Sequence, residues 1–339
     1  MLGCFCIGTS QVDLQAAAHR GIPVFNAPFS NTRSVAELVI AEAVLLLRRV
    51  PEKNVLAHTG QWAKSAKGAF EARGKTIAIV GYGNIGSQVG LLAEAMGMRV
   101  TFFDPLAKLA LGSAQAARSL EEAVTQADIV TLHVPATAST KNMIDAAALA
   151  HFKRGAMLIN ASRGSVVDID ALRDALVENR LGGAAIDVYP QEPDHTSDRF
   201  TSVLQGLPNV ILTPHIGGST EEAQLNIGVE VSSKLIGFLT GGDTSGAVNF
   251  PEVTPGQFTC PARLLNVHRN TTGTLANLNG LLARNGLNII AQHLQTREEI
   301  GYVVTDLDKI PSDALLAEMQ RDSTFIRTRL LRQEKQPEE

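Results

Sequence analysis

Three polar residues follow Val- and Ile-rich runs in the middle of the chain and could share one reaction. Arg163, Glu192 and His215 each come a few residues after such a run. An arginine can hold a carboxylate with two parallel hydrogen bonds, and a histidine exchanges protons near neutral pH. Oxidation of a secondary alcohol by hydride transfer needs both, because a base must take the hydroxyl proton while a cation holds the substrate. These residue types predict a dehydrogenase site in which Glu192 orients His215, the base.

His133 is the alternative base, because it also directly follows an apolar run. The segment after it, Val134-Pro135-Ala136, offers no acidic residue to orient its imidazole. A carboxylate beside a histidine favours the protonated ring that a base must form during the reaction. The sequence therefore favours His215 over His133.

A glycine-rich turn is the second chemical signal. The run 76–80 is followed at once by Gly81-Tyr82-Gly83-Asn84-Ile85-Gly86 and then by helical spacing. In this context the glycines allow a tight turn, close approach of a pyrophosphate and close packing of helix on strand. Asp104 ends the next run, roughly 20 residues on, where an acid binds an adenosine ribose and repels a 2′-phosphate. The motif predicts NAD as cofactor, in preference to NADP.

These residues require a particular kind of sheet to position them. Short apolar runs alternate with helical stretches, as in a parallel sheet with crossover helices. Ligands of such a sheet bind beyond the carboxyl ends of its strands, which is where the polar residues occur. The pattern predicts an α/β fold with a Rossmann-like doubly wound parallel sheet. Its predicted strands are 76–80, 99–103, 129–132, 156–159, 184–188 and 210–212.

Composition excludes several other classes of function. The 339 residues carry 34 acidic and 30 basic side chains, a net charge of −4, so a nucleic-acid partner is not expected. We expect no membrane partner, because the longest apolar runs are too short to span a bilayer. The three cysteines, Cys4, Cys6 and Cys260, cannot form a disulfide framework and lack the spacing of a metal site. A cytoplasmic protein without a bound metal is therefore expected.

The pattern changes after the last predicted strand. Ser219 and Glu222 fit a capping box at the start of a long helix. Residues 254–261, rich in Pro, Gly, Thr and Gln, indicate a linker. Beyond it, strand-like runs at 264–267, 287–294 and 301–307 alternate with helical stretches at 274–285 and after Ser312. Residues 262–339 are therefore predicted to form a small βαββα domain.

Six stretches resemble the D-2-hydroxyacid dehydrogenase family. They are GCFCIGTSQVDL at 3–14, GIPVFNAPFSNTRSVAEL at 21–38, FEARGKTIAIVGYGNIG at 70–86, LINASRGSVVDI at 158–169, AAIDVYPQEP at 184–193 and LTPHIGGSTEEAQ at 212–224. Within the family, the chain is most similar to members that oxidise 3-phospho-D-glycerate to 3-phosphohydroxypyruvate, the first step of L-serine biosynthesis. The resemblance implies that Arg163 binds the substrate carboxylate and that Glu192 and His215 relay the proton.

The resemblance also implies further contacts with cofactor and substrate. Cofactor contacts are expected at Gly81, Gly83, Asn84, Ile85, Gly86, Asp104, His133, Val134, Pro135, Ala161, Ser162, Arg163, Asp187, His215 and Gly217. Substrate contacts are expected at Cys6, Ile7, Gly8, Asn31, Trp62 and Lys64. In close relatives, the loop that carries Trp62 and Lys64 reaches into the site of a neighbouring subunit. The resemblance thus implies a homo-oligomer, a dimer or a tetramer.

The C-terminal segment resembles the ACT regulatory domain, which binds L-serine between paired subunits. The matching residues are His268, Asn270 and Asn288, with Gly273 after the first pair. Imidazole and amide groups suit the amine and carboxylate of an amino acid. The resemblance therefore implies L-serine as effector. Thr271-Thr272 replace the Arg-Pro of close relatives, which predicts weaker serine binding.

The family's substrate domain begins before the cofactor domain and returns after it. Residues 1–29 and 219–253 are accordingly assigned to part of a flavodoxin-like substrate domain, 30–218 to the NAD-binding domain and 262–339 to an ACT-like α+β domain. The several dozen residues that relatives carry ahead of Gly3, with their phosphate-binding arginines, are absent from the sequence. Two main readings follow: a serine-regulated dehydrogenase, or a catalytically weak protein that binds NAD and senses an amino acid. A third is another D-2-hydroxyacid dehydrogenase, of the lactate or glyoxylate type, against which the ACT-like segment argues.

Overall fold

Two units make up the chain, and the computed structural model describes residues 1–9, 11–193, 195 and 197–333. The central unit is Asn31–Ala223, and the terminal unit combines Met1–Ser30 with Gln224–Glu339. In the first segment of the terminal unit, strand β1 (Leu2–Gly3) precedes helix α1 (Leu14–His19) and strand β2 (Val24–Phe25), which pairs in parallel with β1.

The central unit is built on a seven-stranded parallel sheet. Its strands lie in the order β5-β4-β3-β6-β7-β8-β9, so the chain starts in the middle and winds first to one edge and then to the other. Its elements are α2 (Thr32–Leu47), α3 (Val50–His58), β3 (Thr76–Val80), α4 (Asn84–Ala95), β4 (Arg99–Phe103), β5 (Gln115–Ala116), α5 (Leu120–Thr125), β6 (Ile129–Leu132), α6 (Ala146–His151), β7 (Met157–Asn160), α7 (Ile169–Val177), β8 (Gly183–Ile186) and β9 (Val210–Leu212). The predicted Rossmann-like doubly wound sheet is confirmed.

The strands read as continuous apolar runs because both faces of the sheet are covered. Alternate residues of β3 enter different cores, so that Ala78 and Val80 belong to one and Ile77 and Ile79 to the other. Helices α5, α6 and α7 contribute to the first core, and α2 and α4 contribute to the second. This double cover fixes the carboxyl ends of the strands, from which the candidate site is built.

Helix α8 (Glu221–Gly241) begins with a different cap from the one predicted. The Ala223 N–H donates to the Thr220 hydroxyl oxygen at 3.1 Å, so Thr220 caps the helix and the capping box expected for Ser219 is wrong. The reason is that the Ser219 N–H already closes a turn onto the carbonyl of Ile216. Ser219 belongs to that turn, and the helix starts one residue later.

The C-terminal segment of the terminal unit forms a four-stranded antiparallel sheet with two helices. Its elements are β10 (Ala262–Arg269), α9 (Thr274–Arg284), β11 (Ile289–Arg297), β12 (Ile300–Leu307), α10 (Asp313–Arg321) and β13 (Phe325–Arg332), and the strand order is β11-β12-β10-β13. This arrangement is compatible with the predicted ACT-like domain. Strand β13 was not predicted, and the segment is βαββαβ rather than βαββα.

Two cores stabilise the terminal unit on opposite faces of this sheet. Leu264 and Val303 pack with α9 and α10 on one face, whereas Leu265 and Tyr302 pack with Phe25 and other residues on the opposite face.

Over the described part of the chain, no helix is both long enough and apolar enough to cross a bilayer.

Candidate active site

Asp187 connects the loops that follow β8 and β9 in the central unit. Its carboxylate accepts hydrogen bonds from the Thr213 hydroxyl at 2.6 Å, the Ile216 N–H at 2.8 Å and the Gly217 N–H at 2.8 Å. The side chain is buried, and a buried carboxylate is stable as an anion only when it is partnered in this way. Asp187 thus fixes the loop that carries His215.

Glu192 and His215 are brought together by these loops. The Nδ1 atom of His215 lies 2.7 Å from the Glu192 carboxylate, and both side chains are partly exposed. The other carboxylate oxygen of Glu192 accepts the Tyr189 N–H at 3.1 Å, so the acid is held on both sides. A hydrogen bond at Nδ1 leaves Nε2 of His215 free to exchange a proton with a substrate. The pair has the geometry of an oriented base.

Tyr189 and Asn160 hold the neighbouring loops in place. The Tyr189 hydroxyl lies within hydrogen-bond distance of the carbonyls of Ile186 at 2.8 Å and Thr213 at 3.0 Å, and burial raises the pKa of this phenol. The Asn160 amide donates to the Arg163 carbonyl at 3.1 Å. A Cβ on Gly164 would collide with the backbone of Tyr189, so the loop of Arg163 packs directly against the loop of Glu192.

A cavity of about 600 Å³ opens beside His215. Its lining combines apolar side chains, such as Phe200 and Leu212, with the Glu192–His215 pair, as in sites that bind small organic molecules. The residues that line it are Tyr189, Glu192, Pro193, His195, Asp198, Phe200, Gln205, Leu212, Thr213, Pro214 and His215.

His133 lies in a different environment from His215. Its Nε2 atom is 3.0 Å from the Thr131 hydroxyl, and its buried Nδ1 has no hydrogen-bond partner among the described residues. Burial lowers the pKa of His133 to about 3, so the ring is neutral at physiological pH. A ring with so low a pKa is a weak proton acceptor, and this disfavours His133 as the base.

The glycine turn after β3 fits a pyrophosphate. A Cβ on Gly81 would collide with the His133 carbonyl, and one on Gly86 with the Gly81 carbonyl. Gly83, in contrast, has no atom within 4 Å of the position of a Cβ, and it stands at the N-terminus of α4 without a side-chain cap. Open space in front of free helical N–H groups is what an anion requires. Asn84 and Ile85 start the same helix.

Asp104 follows β4 and faces the glycine turn. Its carboxylate accepts the Tyr82 N–H and the Leu106 N–H, each at 2.9 Å. The cofactor positions predicted beside the neighbouring strands, Val134, Pro135, Ala161 and Ser162, follow β6 and β7. Asn31, just before α2, packs against Gly218 in the loop after His215. The structure therefore places the predicted cofactor residues at the carboxyl ends of the strands of the central sheet.

Other predicted substrate residues lie apart from this cluster. Trp62 is 89% exposed, and Lys64 lies in the same exposed loop after α3. Cys6, Ile7 and Gly8 belong to the terminal unit, where the Asn26 amide donates to the Ile7 carbonyl at 2.6 Å. Their contact with substrate stays a prediction. Across the described positions, no cluster of three or more His, Cys, Asp or Glu side chains could hold a metal ion.

The three predicted effector residues are not brought together within one chain. His268 pairs with Gly301, and Ile289, the residue after Asn288, pairs with Leu307. These positions are six residues apart along β12, about 20 Å at the usual rise of a strand. Asn270 lies near His268 and donates its amide to the Glu298 carbonyl at 3.0 Å. His268 is 3% exposed, and its burial lowers its pKa.

Sequence reasoning did not identify Glu42. This glutamate of α2 is 2% exposed, and neither carboxylate oxygen has a hydrogen-bond partner among the described residues. Burial, reinforced by the charge of Asp187, raises the pKa of Glu42 to about 8. The signal was present in the sequence, because Glu42 occupies the same helical face as Val35, Val39 and Leu46.

Comparison with known proteins agrees with this geometry. Residues 40–217 match the model of the D-isomer specific 2-hydroxyacid dehydrogenase, NAD binding domain. The chain is 56% identical over 332 residues to "D-3-phosphoglycerate dehydrogenase" of Escherichia coli (strain K12), covering 97% of this chain and 81% of the relative. It is 46% identical over 345 residues to "D-3-phosphoglycerate dehydrogenase 1" of Saccharomyces cerevisiae, covering 97% and 73%.

Solved structures show the same fold. D-lactate dehydrogenase with NAD⁺ from Lactobacillus jensenii matches with a TM-score of 0.67 and 29% identity, covering 72% of this chain and 77% of that one. D-lactate dehydrogenase from Aquifex aeolicus, complexed with NAD and lactic acid, matches with a TM-score of 0.67 and 29% identity, covering 74% and 80%. The chain belongs to the D-isomer specific 2-hydroxyacid dehydrogenase family. It is an oxidoreductase, and its cofactor is NAD.

Proposed function

We propose that this protein oxidises 3-phospho-D-glycerate to 3-phosphohydroxypyruvate and thereby opens L-serine biosynthesis. The observation that carries the proposal is the 2.7 Å contact between Glu192 and His215 at the strand ends that also carry the glycine turn. The substrate is inferred from the 56% identity to a relative named for it. A phosphorylated 2-hydroxy acid has a carboxylate for Arg163 and a secondary hydroxyl for His215.

The side chains would divide the reaction between them as follows. Nε2 of His215 takes the proton of the substrate hydroxyl, and Glu192 stabilises the imidazolium that forms. The Arg163 guanidinium holds the substrate carboxylate, while the Asn160 amide fixes the backbone of Arg163. Bound NAD would supply the acceptor for the hydride that leaves the carbon bearing this hydroxyl. Asp187 keeps the loop of His215 rigid, so the base stays within reach of the hydroxyl.

We further propose that the active form is a homo-oligomer. The loop of Trp62 and Lys64 follows α3, a helix without a single buried residue, and Trp62 itself is almost fully exposed. Aromatic residues are enriched at protein interfaces relative to the rest of the protein surface. A second copy would cover them, and Trp62→Ala should shift the oligomer towards smaller species in analytical ultracentrifugation. Unchanged sedimentation would remove Trp62 from the interface.

We also propose that L-serine binds where the C-terminal sheets of two copies pair. His268 and Asn288 lie about 20 Å apart in one chain, so one amino acid could contact both only if they came from different chains. The exposed edge strand β11, next to Asn288, provides unpaired backbone for such a pairing.

The test of the reaction is a substrate panel followed by NADH absorbance. We expect 3-phospho-D-glycerate to support NAD reduction at least tenfold better, by kcat/KM, than D-lactate or glycolate. Equal or better turnover of D-lactate would assign the enzyme to another branch of the family. NADH binding and serine binding without turnover of any hydroxy acid would support the alternative reading, a sensing protein.

A further inference from the structure

An aromatic stack lies directly beneath the glycine turn. Tyr82, the residue between Gly81 and Gly83, is 4% exposed, and its ring lies parallel to that of Phe102 on β4, with centroids 3.9 Å apart and an interplanar angle of 16°. The variable position of this motif thus carries a buried side chain that connects β3 to β4. The three glycines that the cofactor motif requires do not account for a buried aromatic residue at this position.

Gly90, one turn beyond the motif on α4, provides the space for this ring. A Cβ at Gly90 would lie 3.3 Å from the Tyr82 hydroxyl oxygen and 3.4 Å from a ring carbon, closer than most such contacts. Glycine is unfavourable inside a helix, so its presence here is accounted for by close packing. Gly90 on α4 and Phe102 on β4 therefore both pack against the Tyr82 ring.

The backbone of Tyr82 in turn holds Asp104. The Tyr82 N–H donates to one oxygen of the Asp104 carboxylate and the Leu106 N–H donates to the other, each at 2.9 Å. We propose that Tyr82, through its stack on Phe102, is a positioning residue that orients Asp104 and so determines the preference for NAD over NADP. The proposal concerns the choice of cofactor and does not depend on which hydroxy acid is oxidised.

The preference for NAD over NADP depends on the orientation of the Asp104 carboxylate. Both the hydrogen bonds to the ribose hydroxyls and the repulsion of a 2′-phosphate require the carboxylate to face the ribose. A carboxylate held at both oxygens still has lone pairs that can accept the ribose hydroxyls, and its charge stays where a 2′-phosphate would lie. Without the ring, the peptide of Tyr82 could move, and Asp104 would lose one of its two fixed donors. A carboxylate that can turn away binds the ribose less tightly and repels the 2′-phosphate less strongly.

The experiment measures the ratio of the NADPH to the NADH dissociation constants by fluorescence titration of purified protein. The variants are Tyr82→Ala, Tyr82→Leu, Tyr82→Phe, Gly90→Ala and Asp104→Ala. Gly228→Ala is the matched control, because Gly228 is a helical glycine of α8 with no atom within 4 Å of its Cβ position. The ratio is independent of the folded fraction of the sample, so loss of stability alone leaves it unchanged.

Tyr82→Phe should keep the ratio, because it retains both the ring that stacks on Phe102 and the backbone N–H that bonds to Asp104. Tyr82→Ala or Tyr82→Leu should lower the ratio about tenfold, towards the value of Asp104→Ala, as expected for a weakened hydrogen bond to a charged group. Gly90→Ala should lower the ratio in the same direction, and Gly228→Ala should not. An unchanged ratio in both Tyr82→Ala and Tyr82→Leu, or a loss in Tyr82→Phe equal to theirs, would overturn the proposal.

Discussion

At the scale of single residues, the site depends on carboxylates in contrasting environments. Asp187 is buried but receives three hydrogen bonds, and Glu192 is partly exposed and bonded to His215. Glu42 is buried without a described partner, so its pKa rises and it keeps its proton at neutral pH. The same chemical group therefore holds a loop, orients an imidazole or stays neutral, according to its surroundings.

His215 is the residue whose loss should affect the reaction most directly. We expect His215→Asn to lower kcat by about a hundredfold or more, because a general base contributes 10²–10⁴ to the rate. NADH binding, measured by fluorescence, should change little. His195→Asn is the control, because His195 lines the same cavity without being paired to Glu192. Full turnover in His215→Asn together with an inactive His133→Asn would transfer the role of base to His133.

Much of the site was predictable because strand ends and motifs are visible in sequence. Arg163, Glu192 and His215 stand out as polar residues directly after apolar runs, and the glycine turn has fixed spacing. The sequence does not predict the packing of Tyr82 or the raised pKa of Glu42, because each depends on neighbours that are distant in sequence. Tyr82 packs on Phe102, and Glu42 of helix α2 senses the charge of Asp187, which lies in the loop after β8.

At the scale of elements, the hydrophobic pattern located most strands of the central sheet, although the bounds of β7 and β8 differ from the prediction by one or two residues. Strands β3, β4, β6 and β9 begin and end where the sequence predicted. Strand β13 was missed because Arg327 and Arg329 interrupt its apolar residues, although it pairs along its length with β10. The sequence misplaces the cap of α8 because Ser219 and Thr220 are both favoured cap residues, and Ser is the better of the two in isolation. Only the turn after Ile216 distinguishes them.

Helix α2 should make stability depend on pH through Glu42. The pKa of the Glu42 carboxyl is about 8 in the folded state and 4.5 in the unfolded chain. Between these two pH values, the folded state therefore holds a proton that the unfolded state has released. Stability therefore falls as pH rises through this window, by up to about 5 kcal/mol. Glu42→Gln should match the parent protein near pH 4.5 and exceed its urea midpoint at pH 8.5. Parallel pH curves for the two proteins would contradict this.

Strands β10 and β12 share a buried ion pair whose loss should be costly. Arg263 donates to Asp306 at 2.6 and 2.9 Å and also to the carbonyls of Gly241 and Gly256, each at 3.0 Å. Arg263→Met would leave Asp306 buried and unpaired, and should destabilise the terminal unit by about 3–5 kcal/mol. Arg332→Met, which breaks the exposed pair with Asp313, is the control and should change stability by less than about 1 kcal/mol. Similar urea midpoints for both variants would contradict the prediction.

At the scale of the whole molecule, the candidate active site and the predicted effector residues lie in different units of the chain. The central unit carries the glycine turn and the Glu192–His215 pair, and the terminal unit carries the predicted effector residues. A ligand can change the activity of a distant site only if it binds two states of the protein with different affinities. Under the proposal that L-serine binds between two copies, it would act by favouring one arrangement of the paired copies.

Mixing two variant proteins, each of which lacks one of the effector residues, should test whether the serine site is shared between two chains. His268→Ala and Asn288→Ala should each abolish serine binding measured by calorimetry on the full chain, since each removes one side of every shared site. In a pair that combines the two variants, one site loses both residues, but the other regains His268 from one chain and Asn288 from its partner. Binding should therefore return when the two variant proteins are mixed and allowed to exchange subunits. If the residues acted within one chain, mixing would restore nothing, and the 20 Å separation along β12 already argues against that arrangement.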